Sequence, residues 1–280
     1  MQAMKSSNTP IRRQLETRAL ISIMGSEARA LLQRVITADV DRLEAGQCCP
    51  GALLTPQGKI LVDFLIFADG NSVWIDILSE QADALVKRLS LYKLRADAVI
   101  TRCEDLVPVW ADTPFDGSAP DPRFSAGVYR GVAPLSDPLE LDDAQLNVLE
   151  ISQGVPTLGR DYTESAVFPT DVNLDVYGGI GWQKGCFIGQ EVVSRMKRRG
   201  TIRKRSVAVH FDGETPTTGT KIKAGEVTLG EITSSEGQAA IALILLDKLE
   251  KADAPVEANG QPARISVPDV LKPDAPAPKV

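Results

Sequence analysis

The chain has 280 residues, with 31 Lys and Arg against 37 Asp and Glu and a net charge of −6. Its 43% hydrophobic and 24% charged residues exclude collagenous and wholly disordered classes. The longest uncharged apolar run, Ala239 to Leu246, is far shorter than the roughly 18 residues of a membrane span.

Ala19 to Met24 reads as a buried strand. A helix follows, with Ala28, Leu31, Leu32, Val35 and Ile36 on one face and Ser26 as its N-cap. Two apolar runs, Cys48 to Leu54 and Ile60 to Phe67, are joined by Thr55-Pro56-Gln57-Gly58 and predict a hairpin. Val73 to Leu78 is a further strand, and a helix over Glu80 to Leu94 is capped by Ser79. Val99 to Arg102 and Leu106 to Trp110 are strands, Asp112 to Arg123 a surface loop, and Asp142 to Gln153 a helix. From Phe187, apolar residues at 187, 188, 192, 193 and 196 have helical spacing. After Arg205, short strands punctuated by glycines (Val207 to Phe211, Val227 to Ser234, Ala239 to Leu246 and about Ala263 to Val267) predict a small β-barrel or sandwich. Mixed strands and helices without strict alternation make the fold class α+β.

Scarce residues narrow the chemistry. His210 is the one histidine and sits in an alternating apolar run, so the HExxH metal motif is absent and a structural role is expected. Cys48, Cys49, Cys103 and Cys186 form no CxxC pair, and one thiolate does not hold a cluster, so no metal site is expected. Scattered cysteines and an N-terminus lacking an apolar signal core predict a cytoplasmic setting. Cys186 falls at or just before the 187–199 helix and two residues after Lys184, and both features favour a thiolate. A small buried residue beside a Gly-rich turn is the alternative. Seven of the 31 cations lie within residues 195–205, and without them the balance is 24 against 37, or −13. Such a run would contact phosphates, but it lacks interleaved aromatics in an acidic chain, which disfavours nucleic acid.

KGCFIGQE, residues 184–191, resembles the K-G-C-[FY]-x-G-Q-E signature of the YgfZ family. FPTDVNLD…GGIGWQ before it, VVSRMKRRG after it, and the GSEARALLQRVITADV and QGKILVDF stretches are similar to that family in the same order. The resemblance implies a folate-binding protein that assists iron–sulfur protein maturation, with a fold like that of the T-protein aminomethyltransferase. It implies a discontinuous region over 1–203 with a ferredoxin-like insertion at about 48–107, a C-terminal β-barrel over 204–268, and a tail over 269–280. Tetrahydrofolate is the implied cofactor, and iron–sulfur clients or assembly proteins are the implied partners. Cys186 and Lys184 carry over as the reactive pair, and Asp63, Ser152, Gln190, Glu191 and Arg195 as folate-site residues. Two departures separate the chain from glycine-cleavage chemistry. Val62 stands where T-proteins have one of two acids, and Ser152 where they have a pteridine-holding glutamate. A folate-dependent one-carbon transferase or demethylase is the alternative reading.

Overall fold

The computed structural model describes residues 12–70, 72–125, 127–200 and 202–267; the 269–280 tail lies outside them. Three sheets organise the chain. The largest runs in the order Cys48–Leu54, Ile60–Asp69, Ser72–Leu78, Arg18–Met24, Val99–Arg102, with every neighbouring pair antiparallel. Helices α1 (Ala28–Val35) and α2 (Ser79–Lys93) pack on it, and their buried Leu31, Leu32, Leu85 and Leu89 join one core with Ile21, Ile23, Ile66 and Ile75.

The last four strands and two helices form a ferredoxin-like βαββαβ unit, to which Cys48–Leu54 adds an edge strand. The expected insertion at 48–107 is therefore corrected at both ends. Arg18–Met24 is a central strand because Leu20, Ile21 and Ile23 need cover on both faces, and all three have no exposed surface. Leu106–Ala111 leaves this unit for the second sheet.

That second sheet runs Glu140–Leu141, Arg13–Gln14, Leu106–Ala111, Tyr129–Pro134, Ala119–Pro120. Tyr129–Pro134 carries no clear strand signal in the sequence, since Gly131 and Pro134 interrupt its apolar pattern. Helix α3 (Asp143–Gln153) is N-capped by Asp142, whose Oδ1 accepts from the Gln145 amide at 2.9 Å. Ser26 does not cap α1: Glu27 holds that position, and Ser26 Oγ donates to Asp97 Oδ2 at 2.7 Å.

Six strands from Lys204–Phe211 to Gln261–Ser266 close into a barrel. Val207, Val209 and Phe211 alternate inward with Ala240, Ala242 and Ile244 across the antiparallel pair. Lys221–Ala224 and Val256–Ala258, too short to read from the sequence, complete the closure. The barrel is bolted on by polar contacts. Arg205, buried, donates to Asp175 Oδ1 at 2.6 Å and Oδ2 at 2.9 Å and to the Thr170 carbonyl at 2.7 Å. Asn173 Nδ2 donates to the Ser206 carbonyl at 2.6 Å. Gly154 ends α3 at φ +72°, where a Cβ would stand 2.5 Å from the Ala208 amide nitrogen, so the backbone of α3's end seats directly on the first barrel strand.

Candidate functional site

Residues 182–189 form a loop fixed at several points. Lys184 is buried, and its Nζ donates to the Ile36 carbonyl at 2.8 Å and the Ala38 carbonyl at 2.5 Å. These carbonyls lie at and just beyond the C-terminus of α1, where the helix presents its negative pole. Phe187 is buried beneath the same ammonium, 5.2 Å from its ring centre. Gly189, at φ +79°, approaches the Thr55 carbonyl so closely that a Cβ would stand 2.6 Å from it. Between these anchors Cys186 is exposed, and it is the one exposed cysteine of the four.

Two expectations change here. The helix α4 spans Gln190–Arg198 and begins only after the left-handed Gly189, so Cys186 lies four residues ahead of it and outside its first turn. Lys184 points inward to backbone carbonyls rather than orienting the Cys186 thiol. Burial lowers the Lys184 ammonium to about 8, against the raising influence of Asp39 and Asp41. Between about 8 and its ordinary value the unfolded chain holds more protons than the folded one, so this group makes stability rise with pH across that window. The difference in unfolding midpoint between wild type and Lys184→Met is expected to shift in that direction between pH 8 and 10.5. A pH-independent difference in urea titrations refutes this.

Gln190, Glu191 and Arg195 stand on α4, the first half-buried and the others exposed. No ion pair joins Glu191 to Arg195 among the described residues, and no hydrogen bond or ion pair joins any of the three to Asp63. Ser152 is not gathered to Asp63 either. Its Oγ donates to the Leu149 carbonyl at 3.0 Å, and it lines a shallow recess with Val148 and His210 against the barrel. A hydroxyl bonded within its own helix turn does not replace the expected carboxylate.

Asp63, on Ile60–Asp69, is half-buried. Its Oδ2 accepts from the Tyr162 hydroxyl at 2.5 Å, while Oδ1 accepts nothing from the described residues. Burial raises its carboxyl above the usual range, against that hydrogen bond and the nearby Arg18 and Arg123. Around it lies an ionic network that sequence reasoning missed. Asp76, with no exposed surface, pairs with both Arg18 and Arg130. Arg123 grips Asp121 at 2.7 Å, and Arg130 lies 3.7 Å from the same carboxylate. Glu150, unexplained from the sequence, pairs with Arg160 at 2.8 Å. Arg160 also pairs with Asp161 at 2.9 Å, and Asp161 accepts from the Thr233 and Ser234 hydroxyls of the barrel. Asp76, a charge inside the apolar run VWIDIL, was the one signal of this network in the sequence.

A cavity of about 620 Å³ opens between the 175–183 segment, the first hairpin and residues 120–122. Its wall includes Cys48, Cys49, Tyr177, Trp182, Arg42 and Lys197. Wall residues Pro120 and Pro122 flank Asp121, so cavity and ionic network share one short segment. The adjacent cysteines are held as thiols. Cys48 donates to the Pro120 carbonyl at 3.2 Å and is pushed up by burial, and Cys49 is pushed up to about 12 by burial and Asp39. No group of three His, Cys, Asp or Glu positioned for a metal occurs among the described residues.

The fold is aminomethyltransferase-like and carries a CAF17-type barrel. The glycine cleavage system aminomethyltransferase T from Bartonella henselae superposes with a TM-score of 0.70 at 14% identity, covering 92% of this chain and 85% of that one. Residues 203–273 match the family model described as CAF17, C-terminal beta-barrel domain. The chain's homologues are IBA57 iron–sulfur cluster assembly factors, and the resemblance to the YgfZ family read from KGCFIGQE is borne out. The Neurospora crassa homologue is 27% identical over 72% of this chain and 54% of its own length. That of Pyricularia oryzae is 30% identical over 68% and 55%, and the human factor 26% identical over 84% and 78%. The chain thus spans about half the length of the first two relatives. All three relatives are named as mitochondrial, which overturns the cytoplasmic expectation. Among the described residues no helix is long and apolar enough to cross a membrane.

Proposed function

We propose that the protein is a tetrahydrofolate-binding accessory factor in iron–sulfur protein assembly or repair, with Cys186 as its reactive thiol. The observation that carries this reading is the contrast within KGCFIGQE: Lys184 and Phe187 are buried anchors, whereas Cys186 is presented to solvent between them. An exposed thiol on a held loop is accessible to an electrophile or to a metal on another protein. The homologues, named as iron–sulfur cluster assembly factors, support the process. Assembly proteins and their clients are the partners in this reading. Residues 1–203 form the folate-binding region and 204–268 a separate barrel domain.

The residues present fit a folate. Tetrahydrofolate supplies adjacent pterin N–H donors and an anionic glutamate tail. Asp63 Oδ1 is a free carboxylate acceptor for such donors. Asp63 does not line the 620 Å³ cavity, which is of ligand size by itself; Arg42 and Lys197 in its wall suit an anionic tail. Gln190, Glu191 and Arg195 serve in this reading by ordering the loop–helix junction and its cationic border. Val62, buried where a T-protein has an acid, removes support for one-carbon transfer.

Two measurements test the proposal. Calorimetric titration is expected to show tetrahydrofolate binding to wild type and at least about tenfold weaker binding to Asp63→Ala, the loss of one charge-assisted hydrogen bond. In a strain deleted for the corresponding gene, Cys186→Ser is expected not to restore aconitase activity. Full rescue by Cys186→Ser removes the thiol role, and no folate binding removes the cofactor.

A further inference from the structure

We infer that the C-terminal end of α4 and the segment entering the barrel form a docking surface for an acidic protein, seated beside the Cys186 loop. The inference deepens the reading of Cys186 given above by naming the chemistry of its partner.

Arg195, Arg198, Arg199, Arg203 and Lys204 are all exposed, and none forms an ion pair among the described residues. Arg205, next in sequence, is by contrast buried against Asp175. Elsewhere the chain carries an excess of acid, 24 cations against 37 anions; Asp171 faces Lys204 electrostatically, yet among the described residues no carboxylate lies within ion-pair distance of any of the five. Capping the negative end of α4 needs one or two cations at most, and each further one adds like-charge repulsion. Lys59, seated 3.6 Å from the Phe168 ring, feels that repulsion: burial lowers its ammonium and Lys204 lowers it further, against Asp171. The surplus is explained by an anion supplied from outside.

One contact ties the basic end of α4 to the loop that carries the thiol. Helix α4 has nine residues and is about 13 Å long. Its last turn folds back on the loop, with Lys197 Nζ 4.0 Å from the Trp182 ring centre. Trp182 belongs to the same 182–189 loop as the exposed Cys186, so the cationic end and the thiol share one held segment.

An acidic protein suits this surface better than nucleic acid. Lys197 lies over Trp182, Phe187 is buried, and the cationic run 195–205 holds no aromatic residue, which gives base stacking little support here. The strongly anionic remainder repels a long phosphate backbone, whereas a local carboxylate patch meets only the cationic surface.

The test uses the full chain with fluorescein-labelled poly-L-glutamate, polyuridine as competitor, and the triple variant Arg198→Glu/Arg199→Glu/Arg203→Glu. Poly-L-glutamate is expected to bind with affinity that falls as salt rises, to bind the variant at least about tenfold more weakly, and to slow alkylation of Cys186. The variant's unfolding midpoint is expected to fall slightly, since Arg198 and Arg199 stand at the negative end of α4, but the variant stays folded at the assay temperature because the replaced side chains are exposed and unpaired, which circular dichroism checks. No binding, binding indifferent to charge reversal, or preferential binding of polyuridine overturns the inference. Failure of Cys186→Ser to lose function in the strain assay would remove the thiol reading while leaving this binding result intact.

Discussion

Asp76→Asn is expected to lower folding stability by about 3–5 kcal/mol. Asp76 has no exposed surface and holds two guanidinium groups, Arg18 and Arg130. An amide keeps the shape but leaves Arg18 without its ion-pair partner and Arg130 with only the more distant Asp121, 3.7 Å away, in a medium that solvates cations poorly. Arg130 has little in reserve: it is fully buried, its Nε and Nη1 have no hydrogen-bond partner, and burial already lowers its pKa despite Asp76. The paired replacement Asp76→Leu/Arg130→Met is expected to recover part of the loss, because it removes a buried charge with its partner. Guanidinium unfolding midpoints of wild type, single and double variants check this. A single variant within about 1 kcal/mol of wild type would show that water reaches the network and solvates it.

Gly189→Ala is expected to affect function more than its size suggests. The left-handed backbone at Gly189 costs an alanine about 1–2 kcal/mol. The added Cβ also meets the Thr55 carbonyl at 2.6 Å and the Gly58 Cα at 3.0 Å, both backbone atoms of the first hairpin's turn. Neither can turn aside as a side-chain tip would, so the loop must lift from the hairpin. The expected outcome is a loss of about 2–3 kcal/mol, combining the conformational cost with overpacking, and a changed rate of Cys186 alkylation. An unchanged alkylation rate with lowered stability would mean that the loop's position does not depend on Gly189.

Local signals carried most of the fold. Apolar alternation marked the barrel strands, the TPQG turn marked the first hairpin, and 3–4 spacing marked α1 and α2. Pairings between distant segments were not readable in the same way. Arg18–Met24 looks like any buried strand, and nothing in it announces that it lies between Ser72–Leu78 and Val99–Arg102. The site shows the same division. The signature located the exposed Cys186, but a spacing of two residues does not say which way Lys184 points, and it points into α1's end. Arg18 and Arg130 lie 58 and 54 residues from Asp76. Such a network exists only once three elements have folded against one another. Ser152 carried over by position from a homologous glutamate, and the helix turned its hydroxyl to Leu149 instead.

The attachment of the barrel has a mechanical meaning. Arg205 and Ser206, on its first strand, are tied to Thr170, Asp171, Asn173 and Asp175, and the chain continues from Asp175 through Val176, Tyr177 and Gly178 into the cavity wall. These ties are short, directional and partly buried, so they resist shear as a greasy interface does not. The barrel is therefore coupled to the cavity: a tilt of its first strand is passed through these ties to residues 175–178 of the wall.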